Sequence, residues 1–224
     1  MSTIQVEDFL PKYPNIFKSE VDLFNLYEED FYEAIFKKKE FYSQKLPREE
    51  IKPEKGEPLK HQKIVAHFLS SKTPYDSLLL FHIMGTGKTC SAVTAIEQIK
   101  NEDSTIKGAL ILVRGDSLKK NFINELVNVC TKGQYIPENI DRYPTEMGKT
   151  GAINRMISEF YEFNTFEVFA KHINKMVENG EEDKIKERYS NMIIVIDEAH
   201  NLRLQTKTVS MYTGIHRNCF SLQT

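Results

Sequence analysis

Apolar and polar positions alternate in blocks along the chain, and the length of each block separates strands from helices. Ser77 to Phe81 is a short uncharged apolar run, Ala109 to Val113 is another, and Met192 to Ile196 is a third. Runs this short without a polar interruption suit strands buried on both faces of a parallel sheet, where helices cover either side. Between and around them, apolar residues recur at helical spacing: Ile64, Val65, Phe68 and Leu69, then Ala92, Val93 and Ile96 within Ser91 to Lys100, then Leu118, Phe122, Leu126 and Val129. Asp116 or Ser117 is the natural cap for the last of these. Tyr161 to Phe163 reads as a further short strand, Asn164 or Thr165 as the cap of a helix from Phe166 to about Val177, and residues 180–189 as a solvated helix or hairpin. Strands alternating with helices predict a three-layer α/β domain with a mainly parallel sheet.

The flanks differ in character. Phe24, Tyr27, Phe31 and Ile35 fall on one helical face with Glu28, Glu29 and Asp30 between them, so Val21 to Tyr42 is expected to be one amphipathic helix. Its apolar face must be covered, either by docking on the α/β domain or by a partner. Pro53 and Gly56 among alternating charges mark a linker. The organisation expected is a helical extension over residues 1–46, a linker over 47–57, the α/β domain over 58–217 and a tail over 218–224. Thr131 to Thr150, with Gly133, Pro137, Pro144 and Gly148, is expected to be an irregular connection.

Composition narrows the class. With 28% charged and 40% hydrophobic residues the chain reads as an ordinary soluble globular protein. Its apolar runs fall short of the ~18 residues that a membrane span needs, and Glu7 and Asp8 stand where a secretory signal would be apolar. Neither a membrane nor secretion is therefore expected. Cys90, Cys130 and Cys219 are odd in number, widely spaced and without metal-site spacing, which fits free thiols in a reducing compartment better than a disulfide framework. A formal charge of −2 means that any nucleic-acid contact must come from a local basic patch.

Two stretches carry chemistry. Behind the apolar run 77–81 comes Gly85-Thr86-Gly87-Lys88-Thr89. Glycines let the backbone N–H groups turn inward, and a helix starting at Lys88 adds its positive end, so the loop is expected to cradle phosphates. Lys88 would reach the β- and γ-phosphates of a nucleoside triphosphate and the Thr89 hydroxyl would bind Mg²⁺. His82 stands where the usual phosphate-loop pattern has its first glycine. Asp197 and Glu198 close the apolar run 192–196, at the strand end where open α/β sheets bind ligands. Asp197 is placed to hold Mg²⁺, and Glu198 to orient or deprotonate the attacking water. Gly148-Lys149-Thr150 repeats the loop ending, but the polar stretch Asp141 to Glu146 precedes it in place of a strand, so it is set aside. The Asn-Lys-x-Asp box with which GTPases read guanine is not found.

Gly-Thr-Gly-Lys-Thr at 85–89 with Asp-Glu-Ala-His at 197–200 resembles motifs I and II of the DEAH-box, superfamily 2 helicases and ATPases. The longer run from Ser77 to Thr89 is similar to the ATPases of large DNA viruses: the poxvirus early transcription factor small subunit and, less closely, nucleoside triphosphate phosphohydrolase I. The resemblance spans about residues 58–217. It implies a RecA-like domain binding ATP and Mg²⁺, with Gln62 on the adenine, His200 in coupling, and Arg114, Lys119 and Lys120 holding a nucleic-acid backbone as motif Ia. It also implies hydrolysis coupled to DNA tracking or to viral transcription. The partners it implies are nucleic acid, DNA in the first instance, and a separate C-terminal helicase half or a viral RNA polymerase; the location is the virion or the host cytoplasm. The strand carrying motif III and a second RecA-like domain are not seen after His200. The chain is therefore expected to be the N-terminal half of such an ATPase and to turn over slowly alone, the alternative being a catalytically inactive nucleotide-binding or interaction module.

Overall fold

A computed structural model describes residues 29–42, 57–81, 85–199 and 219–223. Two short helices, α1 (Glu29–Phe36) and α2 (Lys39–Tyr42), precede α3 (Lys60–Phe68) and the first strand, β1 (Ser77–Phe81). Helix α4 (Lys88–Glu102) leads to β2 (Gly108–Val113), and α5 (Asp116–Glu125) runs into a π-helical turn, Leu126–Cys130. A 3₁₀ turn at Ile140–Arg142 and helix α6 (Glu146–Ser158) lead to β3 (Tyr161–Thr165), α7 (Phe166–Glu178), α8 (Glu182–Tyr189), β4 (Met192–Asp197) and β5 (Cys219–Gln223). The five strands lie in the order β1-β5-β4-β2-β3, and every neighbouring pair is parallel.

The period of two along buried strands builds the layers. Ala109, Ile111 and Val113 of β2, with Ile193 and Val195 of β4, pack against Ala92, Val93 and Ile96 of α4 and Phe122 beyond them. The residues between, Leu110, Leu112, Met192 and Ile194, turn to the opposite face and meet Phe169, Ile173 and Tyr189. Helices thus cover both faces of β2 and β4, which is why these strands read as unbroken apolar runs. The three-layer, RecA-like arrangement and its parallel sheet agree with the sequence reading.

β1 departs from that reading. Leu79 is 57% exposed and Phe81 72% exposed, because among the described residues β1 is an edge strand and not a central one. The interior place beside it belongs to β5, which pairs with β1 on one side and β4 on the other. Residues 218–224 were expected to be a tail without a strand. That expectation fails, since the gap between the two motif-bearing strands draws in Cys219–Gln223.

The expected helix from Val21 to Tyr42 is interrupted: a turn at Lys37 and Lys38 separates α1 from α2, and residues 21–28 lie outside the described set. Ile35 and Phe41 are buried with Tyr75 against Ile64 and Phe68, so this part of the extension docks on the α/β domain. The break has a packing reason, because Phe41, which is fully buried, is reached only by a change of direction after Phe36, which is 43% exposed.

Other differences are local. Neither Asp116 nor Ser117 caps α5; Gly115 does, and Asp116 lies inside the first turn, where its charge suits the helix N-terminus. The wider π turn shifts the phase of the apolar stripe, so Val127 is buried while Val129 is 52% exposed. The expected irregular stretch 131–150 ends at Thr145, whose hydroxyl accepts from Gly148 N–H and caps α6. Gly148-Lys149-Thr150 therefore sits within a helix and makes no loop. Thr165 caps α7 as expected, accepting from Val168 N–H. The largest revision concerns Cys90 and Cys130, expected as free thiols and joined instead in a disulfide with a Cα–Cα distance of 5.1 Å. Among the described residues no helix is long and apolar enough to cross a membrane.

Candidate nucleotide-binding site

Parallel pairing puts the C-terminal ends of all five strands on one edge of the sheet. Leu80, Leu222 and Asp197 stand at one level across β1, β5 and β4. With neighbouring strands about 4.8 Å apart, the exit of β1 and the acidic end of β4 are separated by roughly 10 Å. The loop after β1 and the Asp197-Glu198 pair therefore border one crevice, at the sheet edge that binds ligands in open α/β folds.

The loop is held in a form that only glycine adopts cheaply. Gly85 has φ +81° and Gly87 φ +77°, both left-handed. A Cβ on Gly85 would meet nothing within 4 Å, so open space lies over the loop there. A Cβ on Gly87 would stand 2.7 Å from Gln62 Nε2. Gly87 is also the N-cap of α4, its carbonyl accepting from Ser91 N–H at 2.9 Å, so Lys88 and Thr89 open the helix and its positive end faces the crevice.

Helix α3 braces this loop. Gln62 is 4% exposed; its Oε1 accepts from Leu59 N–H at 2.8 Å and its Nε2 donates to Gly87 O at 3.2 Å. One amide N–H and one lone pair remain for a ligand. His61 Nε2 lies 3.1 Å from Thr86 O, a second tie from α3 to the loop. A cleft of about 370 Å³ opens here, between Leu59, Gln62 and Gly87 on one side and Thr94, Val129 and Cys130 on another. The wall from the π-helical turn went unnoticed in the sequence, because an α-helical reading of 118–129 puts Val129 in the core.

On the other bank, burial and then the Glu198 carboxylate raise the Asp197 carboxyl above its ordinary range, against the opposing pull of Lys88. An acid in this condition is short of positive charge. Glu198 has φ +59°, an uncommon conformation for a residue with a side chain, of the kind that clusters at functional sites. Among the described residues no group of three or more His, Cys, Asp or Glu could hold a metal unaided. Hard oxygens from Thr89 and Asp197 suit Mg²⁺, which characteristically takes one or two protein oxygens and completes its shell with phosphates and water. His200 lies outside the described residues.

The three basic residues ascribed to motif Ia separate. Arg114 and Lys120 are exposed, whereas Lys119 is half-buried and donates to Phe163 O at 2.9 Å, tying α5 to β3.

A family model described as "Type III restriction enzyme, res subunit" matches residues 48–222. The chain is 42% identical over 177 residues to the candidate helicase 087L of Invertebrate iridescent virus 3, covering 75% of this chain and 17% of the relative. It is 43% identical over 162 residues to the candidate helicase 009L of Frog virus 3, covering 70% and 16%. It is 34% identical over 128 residues to the early transcription factor 70 kDa subunit of Rabbit fibroma virus, covering 56% and 16%. The chain thus spans about one sixth of the length of these three relatives. With a model match from residue 48 to residue 222 and the parallel sheet that carries both motifs, the chain belongs to the helicase family described as the res subunit of type III restriction enzymes.

Proposed function

We propose that this chain is the ATP-binding first domain of a viral helicase-like ATPase, which couples ATP hydrolysis to tracking on nucleic acid or to viral transcription. The observation that carries the reading is the left-handed Gly85/Gly87 loop at the start of α4, facing Asp197 across a crevice whose floor is the edge of a parallel sheet. Backbone N–H groups of residues 85–89 bind the phosphates, and Lys88 neutralises the β- and γ-phosphates. Gln62 uses its spare N–H and lone pair on the adenine edge, which presents the matching acceptor and donor. Thr89 and Asp197 hold Mg²⁺, which supplies positive charge beside the transferring phosphate. Glu198 orients the attacking water and accepts its proton. Arg114 and Lys120, at the C-terminal end of β2 and the start of α5, neutralise backbone phosphates without reading bases. The names of the relatives support helicase and transcription-factor contexts for this domain.

Thermal unfolding with and without nucleotide tests the binding step. MgATP at 100 times its dissociation constant should stabilise the fold by about 2.7 kcal/mol, and Lys88→Ala should abolish the shift. A well-folded chain whose melting temperature ignores MgATP would refute the site.

A further inference from the structure

Cys90 and Cys130 are 40 residues apart in sequence, yet their disulfide lies in the wall of the cleft between α3, the phosphate loop and the π-helical turn. Cys90 is one residue beyond Thr89, in the first turn of α4; Cys130 is the last residue of the π turn. We propose that this pair is a thiol–disulfide switch, a redox modification site whose oxidised form fixes the wall at the base end of the nucleotide cleft. The inference rests on the nucleotide reading of the cleft given above.

The geometry separates a part of the π turn that stays from a part that is released. Leu126 and Val127 are buried in the main core, and the Leu126 carbonyl is caught by both Thr131 N–H and the Thr131 hydroxyl. Opening the disulfide leaves that anchor intact. Val129, half exposed, and Cys130, which also packs partly against the core, line the cleft, and the disulfide adds a covalent tie between this stretch and α4. Reduction replaces the bond by a van der Waals contact, which needs a wider separation, so this wall moves off the phosphate-loop helix. Both sulfur-bearing residues are half-buried beside an open cleft, within reach of a small thiol.

Oxidation by glutathione disulfide balances in two exchanges. The Cys90 thiolate attacks one glutathione sulfur, forming a mixed disulfide and expelling a glutathione thiolate that takes up a proton. The Cys130 thiolate then attacks Cys90 Sγ and expels the second glutathione. Two protein thiols lose two electrons and two protons, and two molecules of reduced glutathione appear.

A wall held in its bound position costs less ordering when ligand enters, so the oxidised chain should bind nucleotide about three- to tenfold more tightly than the reduced chain. The full chain is equilibrated at several ratios of reduced to oxidised glutathione. Peptide mapping identifies the 90–130 link apart from Cys219, and a ribose-labelled fluorescent ATP with Mg²⁺ is titrated at each ratio. Affinity should follow the fraction of linked peptide, Cys130→Ser should bind at the reduced level at every ratio where mapping shows Cys90 free of glutathione, and Cys219→Ser should keep the response. Equal affinity in mapped oxidised and reduced chain overturns the switch while leaving the nucleotide site standing. A redox response that survives in Cys130→Ser, or a map without the 90–130 link at any ratio, also overturns it. Absence of binding in both states refutes the nucleotide reading and the switch with it. Should Cys130→Ser fold poorly, the comparison of the two mapped states of the unmutated chain decides.

Discussion

Gly87 offers a quantitative test of how α3 braces the phosphate loop. Replacing it by alanine asks an L-residue to adopt φ +77°, and also drives a methyl to within 2.7 Å of Gln62 Nε2. The first effect costs about 1–2 kcal/mol. The second displaces a buried amide from its bond to Gly87 O, and leaving such a donor unpaired costs a further ~1–3 kcal/mol. Gly85→Ala supplies the control, because φ is +81° there but the space is open. Gly85→Ala should therefore lose about 1–2 kcal/mol and Gly87→Ala about 2–5 kcal/mol in urea unfolding at unchanged slope. A double-mutant cycle with Gln62→Ala isolates the contact: in that background the cost of Gly87→Ala should fall to the Gly85→Ala level. Equal losses at both glycines, or an undiminished cost of Gly87→Ala without Gln62, would refute the bracing role.

The acidic pair should separate by role and by pH. Burial raises the Asp197 carboxyl in the folded chain, so its contribution is most favourable below the ordinary value of 3.8 and is lost as pH rises through the raised folded value. Asp197→Asn should thus melt higher than the parent at pH 7 without nucleotide, lose that advantage in acid, and bind MgATP more weakly; a variant that melts lower at pH 7 contradicts the sign. Glu198→Gln should keep MgATP binding and remove hydrolysis, and a loss of binding equal to that of Asp197→Asn would mean that metal ligand and base are exchanged. Among the basic residues, Arg114→Ala and Lys120→Ala should reduce the salt slope of single-stranded DNA binding by about one each with little change in stability. Lys119→Ala should instead lower stability by about 1 kcal/mol through the lost bond to Phe163 O, and a purely electrostatic effect at Lys119 would show that the bond is incidental.

Short-range signals were legible in the chain. The run 192–196, the glycines before Lys88 and the Thr165 cap each state a local preference in backbone freedom, apolar period or hydrogen bonding, and the structure realises each where it is written. Long-range placement was not. Ser77 to Phe81 carries the same uncharged apolar pattern as Ala109 to Val113, yet one is an exposed edge and the other fully buried, because burial depends on what packs alongside. Cys219 to Gln223 has little strand character of its own and becomes β5 because two parallel neighbours offer unpaired backbone on either side. The π turn at Leu126–Cys130 is equally invisible, since it changes the hydrogen-bond period without changing residue type, and it is this turn that brings Val129 and Cys130 to the cleft and Cys130 to Cys90. The sequence by itself determined the left-handed glycines before α4, the buried strand that ends at the acidic pair, and the layered fold; only the tertiary structure decided strand order, the bracing of the loop by Gln62, and the disulfide in the cleft wall, because these depend on distances between segments that no local pattern encodes.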